Sequence, residues 1–303
     1  MPLKTKLASL LTLRRGAQEA TDGLPALTVE AEVLARGLLS GVHARRKAGS
    51  GEKFWQFRAY DPADRPQDID WRLSAKGDRI HVREKERQAS RTLYLSVDPG
   101  PRMAYASRRT LPAKAHVAGI LALGTALVAT RGGEQVTLTG SGLRAGRGEN
   151  VLQTMALALS GEGMAPPFLP PESVPSGGYL VAVGDFLDSP EEVCARIEAS
   201  GAAPGGVLAI QVLDPAEMDL PFEGRAIFED PADGRGRSVL NVAGVREEYR
   251  RRLGAHIESI GDLCRHRHWH LLLHRTDTPP RETLHKVWAT VGPGLARAGG
   301  PRA

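Results

Sequence analysis

Cysteine is nearly missing from this chain: two residues, Cys194 and Cys264, among 303. Far apart in sequence, they make no disulfide framework, and a reducing, cytoplasmic setting is expected. A membrane-length apolar run is also missing. The most apolar stretch, 117–129, is broken by Gly119, Gly124 and Thr125 and is too short to cross a bilayer. The first sixteen residues hold only a short apolar run without a small-residue cleavage site. Their Arg14-Arg15 pair follows that run instead of preceding it, so no export signal is expected. No fixed-period repeat is present.

The common catalytic signatures are absent too. Gly49-Ser50-Gly51-Glu52-Lys53 lacks the Gly-x-x-x-x-Gly-Lys-Ser/Thr spacing of a phosphate loop, and Phe54 follows the lysine. Gly140-Ser141-Gly142 and Gly146-Arg147-Gly148 lack the GxGxxG register after a strand, so they read as turns. No serine sits in a nucleophile elbow, no cysteine–histidine pair follows from spacing, and no glutamate pair forms a general-acid couple. Cys264, His266, His268 and His270 would share a face if the segment were extended. A helix ending near Arg265 and a strand starting near Trp269 break that geometry, leaving a basic helix end as the expectation. A non-enzymatic protein without a metal or other cofactor is expected.

What is present begins with charge. At 41% hydrophobic and 25% charged, the composition is that of a globular protein able to bury a core. The formal charge of +5 is unevenly placed. Residues 1–92 hold 18 Lys and Arg against 12 Asp and Glu, whereas 93–303 hold 22 against 23. The basic first third suits an acidic partner protein, a nucleic acid or an anionic surface, or is a solvated face. The chain is therefore expected to divide into 1–92, a basic N-terminal helix (Val29, Val33, Leu34 and Leu38 at helical spacing from Thr28) followed by a loop, and an α/β domain, 93–303.

In that second region short apolar runs alternate with helical periodicity. Strands are expected at 93–97, 135–139, 179–183, 206–213 and 269–273. Helices are expected at 112–131, 149–159, 190–200, 245–265 and 280–296. Residues 226–228 and 239–242 read as an inserted β-hairpin. This alternation predicts a mostly parallel sheet with helices on both faces. Asp98, Asp185 and Asp214 fall at or just after strand ends, and Asp277 follows within a few residues. Ligands of open α/β sheets bind at that carboxyl edge, and several acids there suit a hard cation such as Mg²⁺. The plainer reading of each single acid is a helix cap or a turn.

One segment organises the rest. Residues 49–71, GSGEKFWQFRAYDPADRPQDIDW, hold Phe54, Trp55, Phe57, Tyr60 and Trp71 among Arg58, Asp61, Asp64, Asp68 and Asp70. Without steady alternation, it reads as a long irregular loop anchored by its aromatics, forming either a buried network or a docking surface. The order Gly49-Ser50-Gly51, Phe54, Arg58, Tyr60, Asp64 and Ile69-Asp70-Trp71 resembles the signature of the domain-of-unknown-function 58 family. Ala63 and Gln67 depart from its glycine and arginine.

That resemblance implies a von Willebrand factor A-like (Rossmann-like) domain after the signature. In that fold a metal-ion-dependent adhesion motif, Asp-x-Ser-x-Ser, follows the first strand. Here Asp98 is kept, while Gly100 and Arg102 replace both serines, and Asp185 matches the later aspartate. With two hydroxyl ligands gone and a guanidinium added, Mg²⁺ is disfavoured. Arg102 is expected to pair with Asp98 or Asp185 in the metal's place. The resemblance further implies an adaptor or co-chaperone of a MoxR-type AAA+ ATPase in complex assembly or maturation. Docking then falls to Arg58, Tyr60, Asp64, Asp70 and Trp71 of the signature, with Asp98, Gly100, Arg102 and Asp185 forming a degenerate adhesion site. The alternatives are nucleic-acid binding by the basic third, which the acids at Asp61, Asp64, Asp68 and Asp70 oppose, and a metal-dependent hydrolase at the strand ends.

Overall fold

The computed structural model describes residues 53–61, 69, 71–75, 77, 80–86, 92–159, 165–202, 206–231 and 234–296. They fall into two units, divided between 86 and 92. Asp64, Asp68 and Asp70 of the signature, and nearly all of the basic first third, lie outside the described residues.

In the smaller unit, β1 (Lys53–Ala59) pairs antiparallel with β2 (His81–Glu86). The one-turn helix α1 (Trp71–Ser74) precedes β2, and the Ser74 hydroxyl accepts a hydrogen bond from His81 N–H at 2.8 Å. The signature is thus not irregular throughout, because its first part is a strand. Phe54 pairs with Lys85 and Gln56 with Glu84, so Trp55 is an extra residue where the register shifts. A bulge of this kind breaks strict alternation while aromatic residues still favour the extended backbone. Trp71 does not anchor the segment in a core, since it is 64% exposed.

The larger unit is built on five parallel strands: β3 (Thr92–Val97), β4 (Gln135–Leu138), β5 (Tyr179–Gly184), β6 (Val207–Leu213) and β9 (His270–Arg275). Their spatial order is β4-β3-β5-β6-β9, so strand order reverses between β3 and β5. β5 and β6 are buried along their whole length, as strands covered on both faces must be.

Consecutive side chains of β5 serve opposite cores. Val181 and Val183 pack with α2 (Lys114–Arg131), α3 (Glu149–Leu159) and α7 (Pro280–Ala296). Leu180 and Ala182 pack with α4 (Pro190–Ala199) and α6 (Val242–His266). Helix α2 is apolar nearly all round, because β3, α3 and α7 enclose it. Two short elements escape the periodicity argument: a 3₁₀ turn at Pro101–Ala104 and α5 (Pro215–Asp219). Beside the main sheet, β7 (Ala226–Glu229) and β8 (Gly236–Val239) pair antiparallel. Helix α6 starts at Val242, earlier than periodicity alone indicates, because the Asn241 side chain accepts a hydrogen bond from Gly244 N–H.

Candidate functional site: a charged network at the strand-order switch

β3 and β5, the strands flanking the reversal of order, are followed directly by Asp98 and Asp185. Asp98 N–H donates to the Val183 carbonyl at 2.9 Å, one residue past the end of β3. The chain then turns so tightly that Gly100 N–H donates to Asp98 Oδ1 at 2.7 Å. A Cβ at position 100 would lie 2.9 Å from that oxygen, so a serine here would displace the carboxylate. The half-buried Asp98 carboxyl sits above its ordinary range, chiefly through burial and then through the charge of Asp185. The Gly100 hydrogen bond and Arg102 counter only part of this.

Lys114, the first residue of α2, supplies the central cation. Its side chain is fully buried, and Nζ donates to Glu217 Oε1 at 2.6 Å and to Asp185 Oδ2 at 3.3 Å. Arg102 approaches the same Asp185 oxygen, with Nε at 3.7 Å. Its nearer partner is Asp188, reached by Nη2 at 2.5 Å. Asp188 also accepts from Arg196 of α4. Burial pushes the Asp188 carboxyl up, but the two guanidiniums outweigh it and leave it below the usual range. Glu217 stays above its ordinary value, because burial exceeds the pull of Lys114.

Asp214 and Glu217 hold each other through a capping box at the start of α5. Asp214 N–H donates to Glu217 Oε2 at 2.8 Å, while Asp214 accepts from Ala216 N–H at 2.7 Å and Ser107 N–H at 3.0 Å. Gln211 Nε2 donates to the Asp185 carbonyl at 2.8 Å, and Tyr249 of α6 donates to the Glu217 carbonyl at 2.6 Å. Side chains of β6 and α6 thus hold the backbone on which two of these acids are carried.

The strand-end acids divide. Asp98 and Asp185 lie near one another and Asp214 joins them through Glu217, whereas Asp277 turns outward and pairs with Arg275 at 3.0 Å. Arg102 does pair with Asp185, at 3.7 Å, though its closest partner is Asp188. Lys114 and Glu217 were missed by sequence reasoning. A signal for Lys114 existed: a cation in the first turn of an otherwise apolar helix opposes the helix dipole, which calls for a nearby anion. In the signature unit, Tyr60 is half-buried and its N–H donates to the Ile80 carbonyl at 2.9 Å. Arg58 pairs with Val82 along the β1–β2 ladder. His266 ends α6 and His270 opens β9, with His268 in a left-handed turn between them. The histidines are thus split among a helix, a turn and a strand.

These residues do not fit a divalent cation held between Asp98 and Asp185. Mg²⁺ requires near-octahedral oxygen ligands at about 2.1 Å. One Asp185 oxygen instead faces both an ammonium and a guanidinium, and the serine positions are Gly100 and Arg102. Among the described residues, no group of three or more His, Cys, Asp or Glu is arranged to hold a metal.

Fold and site together define a Rossmann-like α/β domain whose strand-order switch carries a network of its own salt bridges. The chain belongs to the family described as protein of unknown function DUF58, whose model matches residues 56–259. Similar proteins include the uncharacterised proteins Rv1480 of Mycobacterium tuberculosis and Mb1516 of Mycobacterium bovis. Each is 26% identical over 256 residues, covering 80% of this chain and 80% of the relative. The crystal structure of the conserved hypothetical protein BatB from Bacteroides thetaiotaomicron covers 69% of this chain and 100% of its own, at 13% identity and a TM-score of 0.35. No helix among the described residues is long and apolar enough to cross a membrane.

Proposed function

We propose that this chain is a non-enzymatic, cytoplasmic protein-interaction module. It is a von Willebrand factor A-like domain acting as adaptor or co-chaperone for a MoxR-type AAA+ ATPase. One observation carries the reading: the buried Lys114 ammonium bridges Asp185 and Glu217 at the switch point. With Lys114 holding the buried acids from inside, the partly exposed rim of the network, Asp188, Arg102 and Arg196, presents a charge pattern without an exchangeable ion. Such a pattern suits recognition of a partner's charged side chain better than it suits chemistry. Trp71 supports docking by the signature unit, since exposed aromatics are the residues on which protein interfaces most often depend.

The test is a tagged pull-down of the whole chain from native lysate with ATP present. Wild type is compared with Trp71→Ala and with Asp98→Asn, each first shown by circular dichroism to be folded. The expected result is an AAA+ ATPase recovered with the wild type and depleted from at least one folded variant. Recovery of no ATPase with the wild type, or equal recovery with all three proteins, counts against the reading.

A further inference from the structure

The hairpin of β7 and β8 pairs with no other strand among the described residues, and its two faces differ. On one face Ala226, Phe228 and Val239 are half-buried, with Arg237 reaching solvent, and Phe228 meets Phe222 edge-on at 5.8 Å between ring centroids. The other face lies in solvent. Along β7 it holds Arg225, Ile227 and Glu229; opposite them, in register, are Leu240, Ser238 and Gly236, with Arg225 and Leu240 one step beyond the paired strands. All six are exposed. Leu240 at 76% and Ile227 at 63% are the two most exposed large apolar side chains described in the larger unit. Arg225 and Glu229 stand at opposite ends of the face, about 13 Å apart along the strand and too far to pair with each other. Neither pairs with another charge among the described residues. Gly236 leaves a bare position, with Glu229 Cγ and Ile227 Cγ2 at 3.4 Å and 3.5 Å from where a Cβ would stand.

We propose that this face binds a second copy of the chain, about a two-fold axis crossing the strands at Ile227 and Ser238. Under that symmetry the pattern is its own complement. With faces opposed and strands antiparallel, Arg225 of each copy meets Glu229 of the other. Leu240 meets the bare Gly236 position, and Ile227 meets Ile227 at the centre. A cation opposite an anion and a large residue opposite a missing one, each occurring twice, is what an isologous contact requires. One cation and one anion on the face give no net attraction for a strongly acidic or strongly basic partner, whereas a second copy satisfies both. Ile227 and Leu240 supply the apolar centre, and the two charge pairs at its ends fix the register. Six residues a side bury far less than the roughly 800 Å² per partner of a stable interface, so the dimer is reversible and forms as concentration rises.

Sedimentation velocity of the native full-length chain is recorded at low salt, from dilute to concentrated solution. The expected result is a sedimentation coefficient that rises with concentration for the wild type and stays flat for Leu240→Glu. Arg225→Glu and Glu229→Arg are each expected to weaken self-association about tenfold, because each puts like charges together at both ends of the contact. Mixed in equal amounts, those two variants are expected to pair with each other as well as the wild type pairs with itself, since every end then joins opposite charges. All three positions are exposed, so circular dichroism is expected to show each variant folded. A wild type that stays monomeric, self-association that Leu240→Glu leaves intact, or a mixture no more associated than its components would overturn the proposal. The first of these outcomes leaves the face to a different protein.

Discussion

Lys114 and Glu217 at the switch point, and Arg252 and Glu248 on α6, make ion pairs of the same 2.6 Å length. Their surroundings differ. The first pair has side chains 0% and 19% exposed, the second 74% and 45%. In the first, removing one partner strands a charge away from water; in the second, water and salt replace whatever is lost. Contact length therefore says little about what an ion pair does, and burial says most of it. The α6 pairs decorate a helix, whereas the switch-point network joins side chains from the turns after β3 and β5 to α2, α4 and α5.

The sharpest way to break this contrast is Lys114→Met. It leaves Asp185 and Glu217 without their shared cation, and a loss of about 3–5 kcal/mol is expected in urea unfolding. Adding Asp185→Asn to that variant is expected to cost less than the sum of the two single changes, because the two positions share the interaction. Equal loss from the Lys114 and α6 substitutions would erase the distinction.

A second comparison uses pH. His274 on β9 is buried, accepts or donates one hydrogen bond with Thr283 at 2.8 Å, and is depressed to about 4, chiefly by burial. Its neutral form is favoured in the folded state, so the stability it contributes is whole above the unfolded value of about 6.5 and is lost as pH falls toward 4. The expected loss is about 3 kcal/mol across that window. Glu217 and Asp98, raised mainly by burial, act in the opposite sense, lowering stability as pH rises from their unfolded values toward their folded ones. The difference between wild type and His274→Gln isolates the histidine. It is expected to shrink steadily from pH 7 to pH 4, and a constant difference would refute the assignment.

Legibility followed the same divide between local and assembled features. The five strands and the main helices could be read because apolar runs of strand length alternate with helical periodicity. Asp98, Asp185 and Asp214 were visible because an acid ending an apolar run is a local pattern. What joins them was not. Glu217 belongs to a five-residue helix too short for periodicity, although the Asp214-Pro215-Ala216-Glu217 order carries a capping box. Lys114 was hidden by distance, since its partners lie 71 and 103 residues away. That Cys194 and Cys264 share one core is likewise a product of strand order, which brings α4 and α6 to the same face. In β1, Trp55 disguised a strand because one bulged residue disrupts a period of two.

Two smaller effects sharpen the contrast. Tyr249→Phe removes the hydrogen bond to the Glu217 carbonyl and is expected to cost about 1 kcal/mol, read from the urea midpoint at unchanged slope. Glu248→Gln removes the anion that serves both Arg251 and Arg252, and no resolvable change in the thermal midpoint is expected, at low or high salt.

The most direct test asks whether Lys114 and Arg102 leave any role for a divalent cation at the switch point. Mg²⁺ is titrated by calorimetry into the native full-length chain, with Lys114→Met, once shown to be folded, titrated beside it. The expected result is no saturable heat from the wild type at millimolar Mg²⁺. A one-to-one isotherm with micromolar Kd, lost on Asp98→Asn or Asp185→Asn, would contradict the account.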